Sequence, residues 1–307
     1  MPVLSIFTPD LSHLLVLRLC LLLPYASACQ TLSRLWSQGL FREVICPKEW
    51  RRFRRDFGSW AGPPGGKSGV FLRQMQVTRL ALPRLKELNH WEGLDRWPGW
   101  LTIDGFERVR RLNAKGRKIV IVNSHYGAFQ CVPLLLCRLG LRLGSIECAD
   151  IFAVLKLRRP EGLTIIPTAG EFLARPALRA KRFLDSERLL CIAADGYIGT
   201  SGLKLSFHGR RRLFASGFAD LAVDGGAEVI PVMAPVDDIG RVRIEFLDPL
   251  DSGTSPERRQ RVESLIRQYA RLLEERWSED PGNIFNMVKF VSLPPAGGGN
   301  GEQRRMP

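Results

Sequence analysis

Short apolar runs separated by stretches of helical period constrain this chain more than any other feature. Lys118-Ile119-Val120-Ile121-Val122 reads as a buried strand. Similar runs recur at 164–167, 189–194, 228–234 and 242–247. An apolar helix follows the first run, through about Leu139, and helical patterns fall at roughly 171–187, 214–225 and 256–277. In the last of these, Val262, Leu265, Ile266, Tyr269, Leu272 and Leu273 return at helical spacing. Strands alternating with helices predict an α/β domain whose mostly parallel central sheet is layered by helices. No internal repeat competes with that reading.

The chain has 307 residues, enough for one large domain or two small ones. Its 45% hydrophobic and 25% charged residues are ordinary globular values, which argue against a disordered or fibrous chain. No apolar run reaches the ~18 residues of a clean transmembrane helix. The charge balance is less ordinary: 45 Lys and Arg against 31 Asp and Glu give +14. Such a chain is drawn to anionic partners, and charge alone does not choose among nucleic acid, lipid, phosphorylated substrate and acidic protein.

Residues 11–29 (LSHLLVLRLCLLLPYASAC) are strongly apolar but interrupted by Arg18 and Pro24. A membrane-dipping or monotopic helix and a buried core helix fit them equally. A cleaved signal peptide fits less well, because no positive charge precedes the run. Trp50-Arg51-Arg52-Phe53-Arg54-Arg55-Asp56-Phe57 places aromatics among arginines. That pattern suits anionic headgroups or nucleic acid, or simply a solvated helix face with core aromatics. Residues 61–69 (AGPPGGKSG) read as linker or long loop. Their Gly-Gly-Lys-Ser is not a phosphate loop, since the first glycine of GxxxxGK[ST] falls one residue out of place, at Gly62, and no strand precedes it. The chain therefore divides into a membrane-associating helical region (1–60), a linker and loop region (61–99), an α/β domain (100–293) and a disordered tail (294–307).

The cysteines (Cys20, Cys29, Cys46, Cys131, Cys137, Cys148 and Cys191) contain no CxxC, and four histidines are too few for a Cys/His metal module. Most lie in apolar surroundings, which reads as buried free thiols in a reducing compartment. No metal site is expected.

The chemistry-bearing candidate is Asn123-Ser124-His125-Tyr126-Gly127-Ala128-Phe129-Gln130, between the first strand and its helix. In open α/β sheets, functional groups gather beyond the carboxyl ends of strands. On one continuous helix, positions 125 and 130 would stand about 140° apart. An intervening turn lets them face each other. A partner at 130 then holds one ring nitrogen of His125 and leaves the other facing a substrate hydroxyl, the arrangement of a general base. Asn123, Tyr126 and Gly127 share the loop and are candidates for substrate contact.

The run Gly116–Gly140 (GRKIVIVNSHYGAFQCVPLLLCRLG) resembles the first block of the lipid A biosynthesis late acyltransferases. These sit in the wider lysophospholipid acyltransferase-like group with its HxxxxD/E motif. A second block agrees: Ala193-Ala194-Asp195-Gly196, then Leu205-Ser206-Phe207-His208-Gly209-Arg210, then Gly226-Ala227-Glu228-Val229-Ile230-Pro231-Val232. Asp280-Pro281-Gly282-Asn283-Ile284-Phe285 fits the family's C-terminal pattern. The resemblance covers roughly 100–290 and implies a glycerolphosphate-acyltransferase-like fold. It also implies transfer of a fatty acyl group from acyl carrier protein or acyl-CoA to a hydroxyl of a membrane glycolipid or phospholipid. No cofactor is implied beyond that thioester co-substrate. The implied location is the cytoplasmic face of a bacterial inner membrane, peripheral or monotopic, on an anionic surface.

On this resemblance His125 is the general base. Arg158, Arg159 and Arg210 are candidates to clamp phosphates of the acceptor or of the donor's phosphopantetheine. A solvated basic face reads as well for Arg158 and Arg159, whereas Arg210, with Phe207 and Gly209, matches the Phe-Gly-Arg block. Asp195 either shapes the site or caps a loop. The departure is Gln130, where the family has Asp or Glu. An amide accepts a ring N–H but brings no charge. Either another carboxylate substitutes (Asp195, Glu147 or Asp150), or the enzyme is slow, or the chain is a non-catalytic relative that binds lipid or carrier protein. A nucleic-acid role has no motif behind it, and the basic residues are spread along the chain.

Overall fold

The computed structural model describes residues 47–57, 66–92, 96–148, 150–168, 174–196 and 201–285, with Ser27, Gln30, Thr31 and Arg34 before them. The expected apolar helix at 11–29 lies, apart from Ser27, outside the described residues, as does the expected tail. Among the described residues, no helix is long and apolar enough to cross a membrane.

Ile119–Asn123 (β2) is buried along its whole length. It is flanked on both sides by parallel neighbours, Leu189–Ala193 (β5) and Glu228–Met233 (β8). Around it the sheet has seven strands in the order β1-β9-β8-β2-β5-β3-β4, with β1 at Leu101–Asp104, β3 at Leu143–Glu147, β4 at Leu163–Pro167 and β9 at Val242–Phe246. All pairings are parallel except β8 with β9, so the expected mostly parallel sheet is observed with a reversed pair at one edge. Period-2 alternation sends Ile119 and Ile121 to one face and Val120 and Val122 to the other, and each set enters a separate core.

The first core is covered by Phe106–Ala114 (α3), Cys131–Arg138 (α4) and Phe152 of Ile151–Leu155 (α5). The second is covered by Ala174–Glu187 (α6), Gly217–Gly225 (α7) and Arg258–Glu279 (α8). The buried residues of α8 are Val262, Leu265, Ile266, Tyr269, Ala270, Leu273 and Trp277; these include every expected position of the stripe except Leu272, which is only partly buried.

Two expectations need correction. Residues 66–89, read as linker and loop, form one long helix, Gly66–Asn89 (α2), whose Val70, Phe71, Met75, Val77, Ala81, Leu85 and Leu88 are buried. Its polar residues bond to distant backbone: Gln74 to the Pro281 carbonyl at 3.0 Å and Arg84 to that of Gly240 at 3.0 Å. The helix expected at 214–225 begins only at Gly217, because Gly202–Phe207 (β6) and Arg210–Ala215 (β7) form a separate antiparallel hairpin.

The arginine-aromatic run is the helix Pro47–Asp56 (α1) and the residue after it. Phe53 and Phe57 are buried and stack at 6.0 Å, and Phe53 and Trp50 pack on Phe71 of α2. Arg51, Arg54 and Arg55 are exposed. The aromatics thus serve the core, and these three arginines lie at the surface. Cys131, Cys137 and Cys191 are buried free thiols, as expected, while Cys148 is exposed and Cys20, Cys29 and Cys46 lie outside the described residues.

Helix α8 also fixes the end of β2. The buried hydroxyl of Tyr269 donates to the Asn123 carbonyl at 2.6 Å. The same carbonyl also accepts the Ala194 N–H at 3.0 Å, so removing the hydroxyl costs one hydrogen bond, about 0.5–1.5 kcal/mol. Tyr269→Phe is therefore expected to lower the urea midpoint without changing the slope. An unchanged midpoint would show that this bond does not hold the strand end.

Candidate active site

Beyond β2 the chain turns at residues 124–130 before entering α4. Backbone bonds from two distant segments hold the turn. The Gly127 N–H donates to the Asn283 carbonyl and the Phe285 N–H to the His125 carbonyl, each at 2.8 Å, while the Ala128 N–H donates to the Ala234 carbonyl at 2.8 Å. Asn283 belongs to a short 3₁₀ turn, Pro281–Asn283, and its own amide bonds Val236 on both sides. Gly127 has φ +60°, and a Cβ there would lie 1.9 Å from the Ala234 carbonyl oxygen. Only glycine fits so close an approach.

This scaffold aims His125 across the end of β5 at Asp195. The ring Nδ1 stands 2.6 Å from Asp195 Oδ1. The other carboxylate oxygen accepts the His125 backbone N–H at 2.7 Å and the Ser124 hydroxyl at 2.9 Å. The Asp195 side chain is 0% exposed, whereas that of His125 remains 35% exposed. Burial pushes the Asp195 carboxyl upward, but the charge and ring hydrogen bond of His125, its backbone N–H and Ser124 outweigh this and hold it below the usual range. Burial likewise opposes charge on His125, yet the charge and hydrogen bond of Asp195, with the charge of Glu147, hold its pKa above the ordinary 6.5. With Asp195 ionised, Nδ1 must carry its hydrogen, which leaves Nε2 with the lone pair in the neutral ring. Phe129 meets the imidazole edge-on at 4.7 Å, and Phe285 packs against Phe129 at 5.5 Å, so one flank of the ring is apolar.

Gln130 is not the partner of His125. It occupies the N-cap of α4, makes no capping bond, and its Oε1 is buried without a hydrogen-bond partner among the described residues. The expected pairing across the turn is replaced by pairing across to the next strand.

Of the other candidates, Asn123 is buried beneath the turn, its Nδ2 donating to Cys191 Sγ at 3.8 Å. Tyr126 points away, its hydroxyl donating to the Arg276 carbonyl at 3.2 Å, and burial pushes the phenol up. Arg158 is exposed, and its carbonyl accepts from Asn89 at 2.8 Å. Arg159 is paired with Asp150. Phe207, Gly209 and Arg210 belong to the β6–β7 hairpin. His208 and Gly209 both have positive φ, at 49° and 72°, and form its two-residue turn. Phe207 is buried against Phe214 and Trp277, and Arg210 reaches the Arg55 carbonyl at 3.4 Å. The structure brings His125 and Asp195 together, with Gly127 shaping the turn, and leaves Arg158, Arg159 and Arg210 apart from that pair in the contacts described above. Sequence reasoning did not single out Ser124, Phe129 or Phe285 as site residues; the only signal for Phe285 was its place in the C-terminal block. Among the described residues, no group of three His, Cys, Asp or Glu is placed to hold a metal.

A family model for bacterial lipid A biosynthesis acyltransferases matches residues 78–282, about two thirds of the chain. The chain belongs to this family. It is therefore an acyltransferase, and the matched span runs from within α2 to the 3₁₀ turn that supports His125. A search of curated proteins gave no match.

Within this acyltransferase, a carboxylate at position 130 has no donor waiting for it. Gln130→Glu would place charge on a buried oxygen that lacks a partner, which is costly. The expected result is a fall of several degrees in Tm and no gain in transfer rate. A faster enzyme of unchanged Tm would show that position 130 does reach the imidazole.

Proposed function

We propose that this acyltransferase moves a fatty acyl group from a thioester, on acyl carrier protein or CoA, to a hydroxyl of a glycolipid, phospholipid or related acceptor. The observation that carries the reading is the His125–Asp195 pair at the carboxyl end of the sheet. Asp195 fixes the tautomer, and the partly exposed ring offers Nε2 to an incoming hydroxyl. Nε2 takes the hydroxyl proton as the oxygen attacks the thioester carbonyl. The tetrahedral intermediate collapses, the C–S bond breaks, and the thiolate takes the proton back from the imidazolium. An ester and a free thiol result, with no acyl-enzyme and no cofactor. The negative charge of Asp195 stabilises the imidazolium while it lasts, so the missing charge at Gln130 does not by itself imply a non-catalytic relative.

The setting we propose is the cytoplasmic face of a bacterial inner membrane, held peripherally or monotopically. Support comes from the apolar stretch 11–29, the +14 charge and the exposed Arg51, Arg54 and Arg55 that follow that stretch. Anionic lipid, acidic carrier protein and CoA all complement such charge.

His125→Ala is expected to abolish acyl transfer while leaving the far-UV circular dichroism intact. Full activity in that variant would remove His125 from the mechanism. Asp195→Asn tests the pair. General-base catalysis is worth about 10²–10⁴-fold, and kcat should fall within that range. Asp195 raises the pKa of His125, so losing its charge lowers that pKa. The acid limb of kcat/KM, where His125 becomes protonated and inactive, should therefore move to lower pH. An acid limb unmoved in Asp195→Asn would separate the limb from His125.

A further inference from the structure

The carboxyl ends of β2, β5 and β3 stand side by side in the sheet. His125 follows the first, Asp195 the second, and Glu147 is the last residue of the third. Adjacent strands are about 4.8 Å apart, so β3 lies roughly 10 Å from β2. His125 closes part of that gap by leaning over β5 to reach Asp195.

Glu147 is firmly held. Its Oε1 accepts the Ser145 hydroxyl at 2.7 Å, and its carbonyl accepts both the backbone N–H (2.9 Å) and the hydroxyl (3.2 Å) of Thr168 beyond β4. Strand alternation puts Ser145 and Glu147 on one face of the sheet, and Ser145 registers with Cys191, the neighbour of Asn123. That is the face covered by α4, whose N-cap is the uncharged Gln130. The α4 face thus carries its carboxylate on β3 and none at the helix N-terminus.

We propose that Glu147 is a positioning residue of the same site: its carboxylate, anchored on Ser145 at the end of β3, supplies a second negative charge that stabilises the imidazolium of His125. The proposal rests on the reading of His125 as the base. Among the described residues, the charged groups around the pair are few. Asp195 faces His125 from the β5 loop, and Asp150 at the N-cap of α5 and Arg159 in the loop after it act on Glu147. These last two are paired with each other and largely cancel. Burial and the charge of Asp150 hold the Glu147 carboxyl above the usual range, against the opposing pull of the Ser145 hydrogen bond and of the charges on His125 and Arg159.

The test is an NMR titration of His125 in histidine-labelled protein, with the resonance assigned by its loss in His125→Ala. Glu147→Gln keeps an oxygen for Ser145 and removes the charge. It should lower the His125 pKa by about half a pH unit or more, a threefold loss of proton affinity. Glu147→Asp, which keeps the charge but withdraws it by one methylene, should shift the titration the same way by less, and it serves if the amide variant does not fold. A His125 titration unmoved in a folded variant overturns the proposal. This readout needs no turnover. An active His125→Ala would sink the catalytic reading while the titration still judged Glu147, and an unmoved titration beside an inactive His125→Ala would sink Glu147 alone.

Discussion

The Asp195 carboxylate is the point on which the architecture of the site hangs. It is fully buried, and an isolated buried carboxylate would cost several kcal/mol. Three donors offset that cost: the His125 ring, the His125 backbone and the Ser124 hydroxyl. All three come from the turn after β2, so the bonds that satisfy the charge also lock that turn to the end of β5. Orientation of the imidazole and satisfaction of the carboxylate are therefore one event. A histidine held in this way has little rotational freedom to lose on binding a substrate, which is the physical content of preorganisation.

The turn itself is built from the far end of the sequence. Asn283 and Phe285 supply its backbone partners, Tyr269 secures the strand beneath it, and the Arg276 carbonyl accepts the Tyr126 hydroxyl. Helix α8 and the 3₁₀ turn thus act as a buttress for a loop some 150 residues earlier in the chain. The C-terminal sequence block has a structural explanation in this: Asp280 caps the 3₁₀ turn, Asn283 clamps Val236, and Phe285 joins Phe129 on the apolar flank of His125. The hairpin block is explained similarly. His208-Gly209 is the two-residue loop of a hairpin that Phe207 anchors on Trp277, so this block has a role in the fold.

The parts of the fold written in continuous apolar runs were legible. The five expected strands lie within a residue or two of β2, β4, β5, β8 and β9; burial on both faces forces such runs in the central β2 and β8, whereas the edge strand β4 keeps Thr164 and Pro167 exposed. What escaped notice was whatever polar chemistry disguised. Strand β3 reads Leu-Gly-Ser-Ile-Glu, and the two residues that blur its pattern, Ser145 and Glu147, stand at the site end. Helix α2 hides behind a Pro/Gly-rich entry, and its buried Gln74 and Arg84 interrupt any apolar stripe because they bond to distant backbone. For the site, strand-end placement identified His125 from sequence, and Asp195 was visible as a candidate. The choice between Asp195 and position 130 was not legible, because it depends on which strand lies next to β2. Sequence order does not state that β5 does.

Net charge is a poorer guide to the site than to its surroundings. Much of the excess arginine is engaged in surface pairs, such as Arg258 with Asp220 and Asp224, and Arg243 with Asp104 and Glu245. The histidine, in contrast, is held by the buried carboxylate of Asp195, and the charge of Glu147 also favours its protonated form. A base that must hold a proton briefly needs negative charge at the ring, and it is indifferent to which segment of the chain provides it. Because Nδ1 points across β5 and not back along the turn, a charge on the β5 loop meets it at hydrogen-bond distance, while the N-cap of α4 does not reach it. The amide at 130 is then what this geometry tolerates best: a buried oxygen with no donor nearby is cheaper to leave neutral than to ionise.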